Sequence, residues 1–354
     1  MTVQIEINGQ DLRPLLASPP KIKDNLNAVC RTLELKPYND KDLKAKLGQP
    51  VTLYYNNDVW FFGFLQTRKF TSKGDAVFKA YDPLFFMKNN PDDYYFKNIT
   101  ASKAIEQMAE KVGIRIGDLE STGVTLSQLY YEGKDPDKIA IDLLARTYRE
   151  NDKKFWFRYD PEKGLVLFER QVPTKIWAFQ VGVNLEKAEY KDSIEKTITR
   201  VKLVNRETGK TVKKSDTTKV KQYGPRTHFE EVDRKAAQKM DRLAKDLLKE
   251  KAVVDKEQRI TGINPGSMPQ FYSANTIYVE EEKTGIIGAY HILNVNQTFA
   301  SDNLIKLDMK IRRTLEVPEI QYTGATKEPE TEDDEGVQQE YSEELQKAID
   351  KYGL

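Results

Sequence analysis

The stretch PVTLYYNNDVWFFGFLQT, residues 50–67, constrains the fold of this chain more than any other segment. Two runs rich in aromatic and β-branched residues meet at Asn56-Asn57-Asp58, and Asn and Asp tolerate the positive φ of a tight two-residue turn. The pattern predicts a β-hairpin. Around it, VQIEI, NLNAVCRTLEL and DAVFKAYDPLFFM read as further strands, so residues 3 to about 88 predict four or more short antiparallel strands. A barrel or a sandwich follows from that density of strands.

The period changes near residue 95. In NITASKAIEQMAEKVG, Ile105, Met108, Ala109 and Val112 share one helical face, with Thr100 as N-cap and Gly113 as stop. DPDKIAIDLLARTYREN predicts a second helix, capped by Asp135 with Pro136 at its first position and with Ile139, Leu143 and Leu144 inward. KKFWFRYDPEKGLVLFER then reads as a hairpin turning at Asp160-Pro161-Glu162-Lys163-Gly164. This helix-helix-hairpin segment, residues 93–172, is an α+β insertion between a β region at 1–92 and another at 173–318.

In that second β region KIWAF, TITRVKLVNR and KTVKK predict strands, the last two joined around Glu207-Thr208-Gly209. DRKAAQKMDRLAKDLLKEK predicts one amphipathic helix, 233–250, burying Ala237, Met240, Leu243, Ala244, Leu247 and Leu248. VVDKEQRITG, NTIYVEEE, AYHILNVNQTF and LIKLDMKIRR close the region as strands. The tail, 319–354, carries nine acids between Glu328 and Glu344 without an apolar cluster, which predicts disorder over its first half.

Composition limits the function classes. A chain of 354 residues suits two or three domains, and its net charge of +1 gives no global attraction to nucleic acid or to an anionic membrane. No apolar run approaches the ~18 residues that span a bilayer, and MTVQIEINGQ lacks the basic start of a secretion signal. Cys30, the single cysteine, cannot form an internal disulfide; it reads as a buried structural thiol on a strand, in a protein made in a reducing cytoplasm.

No stretch carries a catalytic signature. TGINPGSMPQF sets Gly262 and Gly266 four apart with no following Lys and a strand beyond, so it is a rigid corner and no phosphate cradle. His228, in the loop YGPRTHFEEVD, and His291, facing opposite to Ile292 on a strand, are the only histidines and form no zinc or triad pattern. The carboxylate pairs Asp92/Asp93 and Asp160/Glu162 fall where Pro, Asn and Gly predict turns. The expectation is therefore a non-enzyme with no catalytic residue, cofactor or metal.

Two features fit binding as well as structure. Lys196, Arg200, Lys202, Arg206, Lys210, Lys213, Lys214, Lys219 and Lys221 crowd one segment, fit either to track a polyanion or to protect a sheet edge. Trp60, Tyr94, Tyr95, Trp156 and Trp177 could stack on sugar rings, which leaves a cell-wall or carbohydrate-binding module, or a protein allied to a peptidoglycan hydrolase, as rival readings.

The order of parts resembles the baseplate hub proteins of contractile phage tails, the late control D family, and most closely the XkdQ/YqbQ-like hubs of PBSX-type prophages and tail-like bacteriocins. The resemblance rests on VWFFGFLQT, KIAIDLLARTYRENDKKFWFRYDPEKGLVLFE, YGPRTHFEEVD, NPGSMPQF and TGIIGAYHILNVNQTF, and it reaches to about residue 315. It implies two tail-tube-like β-barrels per chain, three chains closing a pseudo-sixfold ring, and a place in the particle between the sixfold tube and the threefold spike. Implied partners are two further copies, the tube and spike proteins, and tape-measure, wedge or LysM-containing proteins. DNA would pass through the channel without specific binding. Assembly in the host cytoplasm is implied as well.

Overall fold

The computed structural model describes residues 3–38, 44–72, 74–170, 176–232 and 239–313, and the fold is mainly β. Strands Pro50–Tyr55 and Asp58–Phe70 pair antiparallel, Tyr55 opposite Asp58, with Asn56 and Asn57 at φ 55° and 70°. The two-residue loop is the one that the Asn-Asn pair predicts, because both central positions need positive φ.

That hairpin belongs to a 13-stranded sheet, to which residues 3–81 contribute seven strands and residues 177–312 six. The halves join where Leu16–Asn25 pairs antiparallel with Ile286–Ser301, Lys21 opposite Thr298 and Asn25 opposite Asn294. Ile286–Ser301, the longest strand described, also pairs with Thr276–Glu281 and Leu304–Arg312. The core follows the pleat. Ile22, Leu33, Leu53, Phe61 and Phe78 from the first half pack in one cluster with Phe179, Ile277, Val295 and Leu307 from the second, all fully buried.

The insertion builds its own core. Helices Ala101–Lys111 and Pro136–Asn151 pack with the hairpin Phe155–Asp160/Gly164–Glu169, burying Ile105, Met108, Ile139, Leu143 and Phe155 with Phe62 and Phe64 of the large sheet. The Thr100 side chain accepts from Lys103 N, whereas Asp135 caps without a side-chain bond and pairs instead with Lys138 at 2.7 Å. Trp60 packs edge-on against Tyr55 at 4.8 Å and lies 5.7 Å from Phe299.

The described residues fall into two compact units, one within Met1–Ala188 and Ile260–Leu354 and the other Glu189–Arg259. In the smaller unit the antiparallel pair Arg200–Val204/Thr211–Ser215 gains a third, parallel strand, Thr227–Glu231. Helix Met240–Lys251 covers one face, closing a cluster of Val201, Leu203, Val212, Met240, Ala244 and Leu247. Residues 233–238, Ala237 included, and the acidic tail lie outside the described residues.

Several local expectations are corrected. NLNAVCRTLEL is a bend that becomes a strand only at Thr32, so Cys30 lies off the strand and half-buried. His228 sits on strand Thr227–Glu231 and not in a loop, since pairing with Arg200–Val204 overrides the Gly-Pro turn signal before it. Asp92 and Asp93 open a strand, Asp92–Phe96. LASPPKIKDN is a strand that the sequence pattern does not announce; it tolerates Pro19 and Pro20 because the register with Thr32–Pro37 slips between Ser18 and Lys21, where the prolines sit. A bulge tolerates the missing N–H groups.

TGINPGSMPQF is a corner, and one residue builds it. Fully buried Asn264 accepts from Gly266 N at 2.8 Å and Met268 N at 3.2 Å, and donates to the carbonyls of Met268 and Pro269 at 3.1 and 3.2 Å. A Cβ at Gly262 would stand 2.8 Å from the Asn184 carbonyl, so close packing and not ligand approach explains that glycine.

Candidate functional site

Within the larger unit a concavity lies where sequence-distant segments meet. Its rim is the bend after Leu16–Asn25, with Asn25, Asn27 and Ala28 exposed. Ile141 and Leu144 of helix Pro136–Asn151 and the Phe155–Tyr159 stretch wall it, and Ser273 closes it from the second half. The cleft measures about 90 Å³.

Arg31 sits at its base, 4% exposed. Its Nη2 donates to the Trp60 carbonyl at 3.2 Å, which also accepts from Gln270 Nε2 at 2.9 Å. Its guanidinium carbon lies 4.7 Å from the Tyr272 ring centre, and that of Arg158 lies 4.2 Å from the same centre and 5.0 Å from Phe168. Tyr272 OH donates to Gln270 Oε1 at 2.6 Å, fixing the ring on which both cations rest.

Both carboxylates here are held by other donors. Asp82 accepts from Arg31 N at 2.8 Å and Leu84 N at 3.1 Å; Asp24 accepts from Ser273 N at 2.8 Å and Ser273 Oγ at 3.0 Å. Burial pushes the Asp82 carboxyl up to about 7 against the pull of those donors and of Arg31. The Cys30 thiol is pushed up by burial and by the Asp82 charge, which keeps it protonated and poorly nucleophilic.

The remaining candidates are dispersed. His291 is half-buried on its strand, within 2.6 Å of the Arg170 guanidinium and 3.1 Å from Thr276 Oγ1, and burial together with the charges of Arg170 and Lys154 lowers it to about 4. His228 pairs with Glu230 at 3.0 Å on the other unit. Asp160 accepts from the N–H groups of Glu162 and Lys163 at 3.0 and 3.1 Å, which is turn chemistry. Asp92 pairs with Lys111, and Asp93 accepts from Gly133 N at 2.6 Å. Trp60 and Tyr94 are buried, Trp156 and Trp177 half-buried and Tyr95 exposed. Among the described residues no three His, Cys, Asp or Glu gather as a metal-binding group, and no helix is long and apolar enough to cross a membrane.

The basic segment divides between two faces of its sheet. Arg200, Lys202 and Lys213 lie opposite the helix-covered side, Lys202 facing Lys213, with exposed Phe229 5.6 Å from Lys202 Nζ. Lys214 turns the other way to Asp241 at 2.9 Å, while Arg206 and Lys219 pair with Glu231 and Asp216 at 2.9 and 3.2 Å.

Asp82 and His291 give this unit an opposed pH response. Asp82 is raised from 3.8, so its contribution to stability is complete below that value and is lost as pH rises through about 7. His291 is lowered from 6.5, so its contribution is present above that value and is lost as pH falls through about 4. Replacing Asp82 with Asn removes the first response alone. Going from about pH 8 to about pH 5, the wild type is expected to gain about 2–3 kcal/mol more than Asp82→Asn. Urea midpoints at the two pH values measure this, and equal changes in both proteins would refute the burial of the Asp82 charge.

Comparison with known proteins supplies what the cleft does not. A YqbQ-like family profile matches residues 21–311, most of the chain. The chain belongs to the YqbQ-like family. It is 30% identical over 223 residues to the phage-like element PBSX protein XkdQ of Bacillus subtilis (strain 168), covering 61% of this chain and 67% of that protein. Its fold is shared with the 43 kDa tail protein of prophage MuSo2 from Shewanella oneidensis, at a TM-score of 0.60 and 15% identity over 88% of this chain and 97% of that one. A more distant likeness, TM-score 0.51 and 12% identity over 89% and 80%, is to the E. coli c3393 protein. That protein is described as a type VI secretion system component structurally similar to the T4 bacteriophage tail proteins gp27 and gp5. The YqbQ-like chain thus has a phage tail protein fold.

Proposed function

We propose that this YqbQ-like chain is a structural baseplate hub of a contractile phage tail or tail-like particle. Three copies form a pseudo-sixfold ring that adapts the sixfold tube to the threefold spike and continues the central channel. Membership of the YqbQ-like family together with 30% identity to a phage-like element PBSX protein supports a place in a tail particle. So does a fold common to a prophage tail protein and to a secretion component likened to gp27 and gp5.

One structural observation carries the reading furthest. Two sets of strands, seven from one end of the chain and six from the other, meet edge to edge at Leu16–Asn25 and Ile286–Ser301. A ring of six barrels from three chains needs each chain to supply two such halves joined side by side. On this reading residues 1–92 and 173–318 are the tube-like halves, residues 93–172 an insertion outside them and 319–354 an extension. The work is done by shape and fit, with no bond chemistry, and obligate interfaces of about 2,000 Å² or more hold the ring. DNA passes through without base-specific contact.

Native mass spectrometry and negative-stain imaging of the purified chain, alone and with its particle's spike protein, test the proposal. Rings of three with a central opening are expected in at least the mixed sample. A compact monomer in both samples overturns it.

A further inference from the structure

We propose that the cleft around Arg31 and Arg158 is a binding site for a carboxylate carried on a short apolar stem. Its walls are hydrocarbon and its leftover polar chemistry is all of one kind. Among the described residues Arg31 Nε, Arg158 Nε and Trp156 Nε1 are buried without a hydrogen-bond partner, and all three residues line this cleft. Each of those atoms is a donor. A buried donor without an acceptor is costly, so three around one cleft need a common explanation.

The cleft's own acceptors do not provide it. Asp82 and Asp24 take backbone N–H groups and the Ser273 hydroxyl, and the Trp60 carbonyl already takes two donors. Two guanidinium groups are meanwhile gathered on the single ring of Tyr272. None of these acceptors takes Arg31 Nε, Arg158 Nε or Trp156 Nε1. Guanidinium groups present paired donors matched to a planar, two-oxygen acceptor.

The walls choose among anions. Ile141, Leu144, Phe155, Phe157 and Phe168 offer no polar side-chain atom to a second or third charged oxygen. Two carboxylates nearby also disfavour a doubly charged guest. A singly charged carboxylate on a hydrocarbon stem fits both conditions, and a phosphate fits neither. With Asp82 pushed up to about 7, an arriving anion is met near neutrality by a carboxyl able to take a proton. The rim is open, since Asn25, Asn27 and Ala28 are exposed. The same chemistry is offered by a free aliphatic acid and by the C-terminus of a neighbouring protein.

The test uses the full chain and 4-methylpentanoate, with its amide and inorganic phosphate as controls. Thermal shift and tryptophan fluorescence are followed, because Trp156 lines the cleft. A saturable response to the acid is expected, at least about tenfold weaker for the amide and for phosphate. Arg158→Met should weaken the acid at least about tenfold, while circular dichroism verifies its fold. Trp156→Phe removes one of the three donors and should weaken the acid about tenfold by thermal shift, with the fluorescence change lost. A peptide ending in Leu-Leu with a free carboxylate binding more tightly than the acid assigns the site to a protein terminus, and the reverse assigns it to a small acid. No saturable response, an equal response to the amide, or an unchanged response in folded Arg158→Met overturns the proposal and leaves the donors to buried water.

Discussion

Asp142→Ala is expected to destabilise the protein by about 3 kcal/mol, read from the urea midpoint. Asp142 is 3% exposed on helix Pro136–Asn151, and its Oδ2 accepts from both Tyr131 OH and Arg146 Nε at 2.7 Å. Removing it strands two donors. Arg146, with about a third of its side chain exposed, can turn to water; Tyr131, 1% exposed in the insertion's core, cannot. Most of the loss therefore sits on the phenol. The second half of a mutant cycle isolates it: Tyr131→Phe should cost about 1 kcal/mol in the wild type but recover about 1 kcal/mol or more in the Asp142→Ala background, where it deletes the stranded hydroxyl. A loss under about 1 kcal/mol for Asp142→Ala would mean that the three groups do not share one buried network.

Gly63→Ala should be worse, at more than about 3 kcal/mol, with a fall in Tm of roughly 10 °C or failure to accumulate as soluble protein. A Cβ at Gly63 would stand 2.2 Å from the Tyr81 carbonyl oxygen and 2.6 Å from its carbon. Both neighbours are backbone, so no rotamer change relieves the clash. Strands Asp58–Phe70 and Ala76–Tyr81 would have to part at Phe64 and Tyr81, in the middle of the large sheet. Gly9→Ala is the control. It has open space but φ 77°, and should cost only about 1 kcal/mol. A wild-type melting curve for Gly63→Ala would contradict the strand approach described here.

What the sequence discloses is local. Asn56-Asn57, the Thr100 cap, Pro136 at a helix start and Gly164 after Asp160 each act within a few residues, and each turn or helix falls where those residues place it. Periodicity likewise assigns the inward faces of Ile105, Met108, Leu143 and Leu247. Pairing between distant segments leaves no such mark. Lys21 opposite Thr298 follows from two pleats sharing a core, and Pro19-Pro20 hides the strand behind a residue pair that normally forbids one. The parallel partner of Arg200–Val204 was masked in the same way by Gly224-Pro225. The cleft was least legible. Arg31, the Trp156/Arg158 pair on one strand and Ser273 come from three separate stretches, and nothing in any one of them indicates that they converge.

The seam between Leu16–Asn25 and Ile286–Ser301 also governs how the protein is made. A ribosome delivers the first strand long before the last, so the nascent sheet waits with one flank bare for most of translation. At roughly 5–20 residues per second that wait lasts tens of seconds, the regime in which unpaired strand edges recruit each other. Truncated products ending before the seam are therefore expected to be insoluble, as a solubility assay of a chain ending before residue 286 would test.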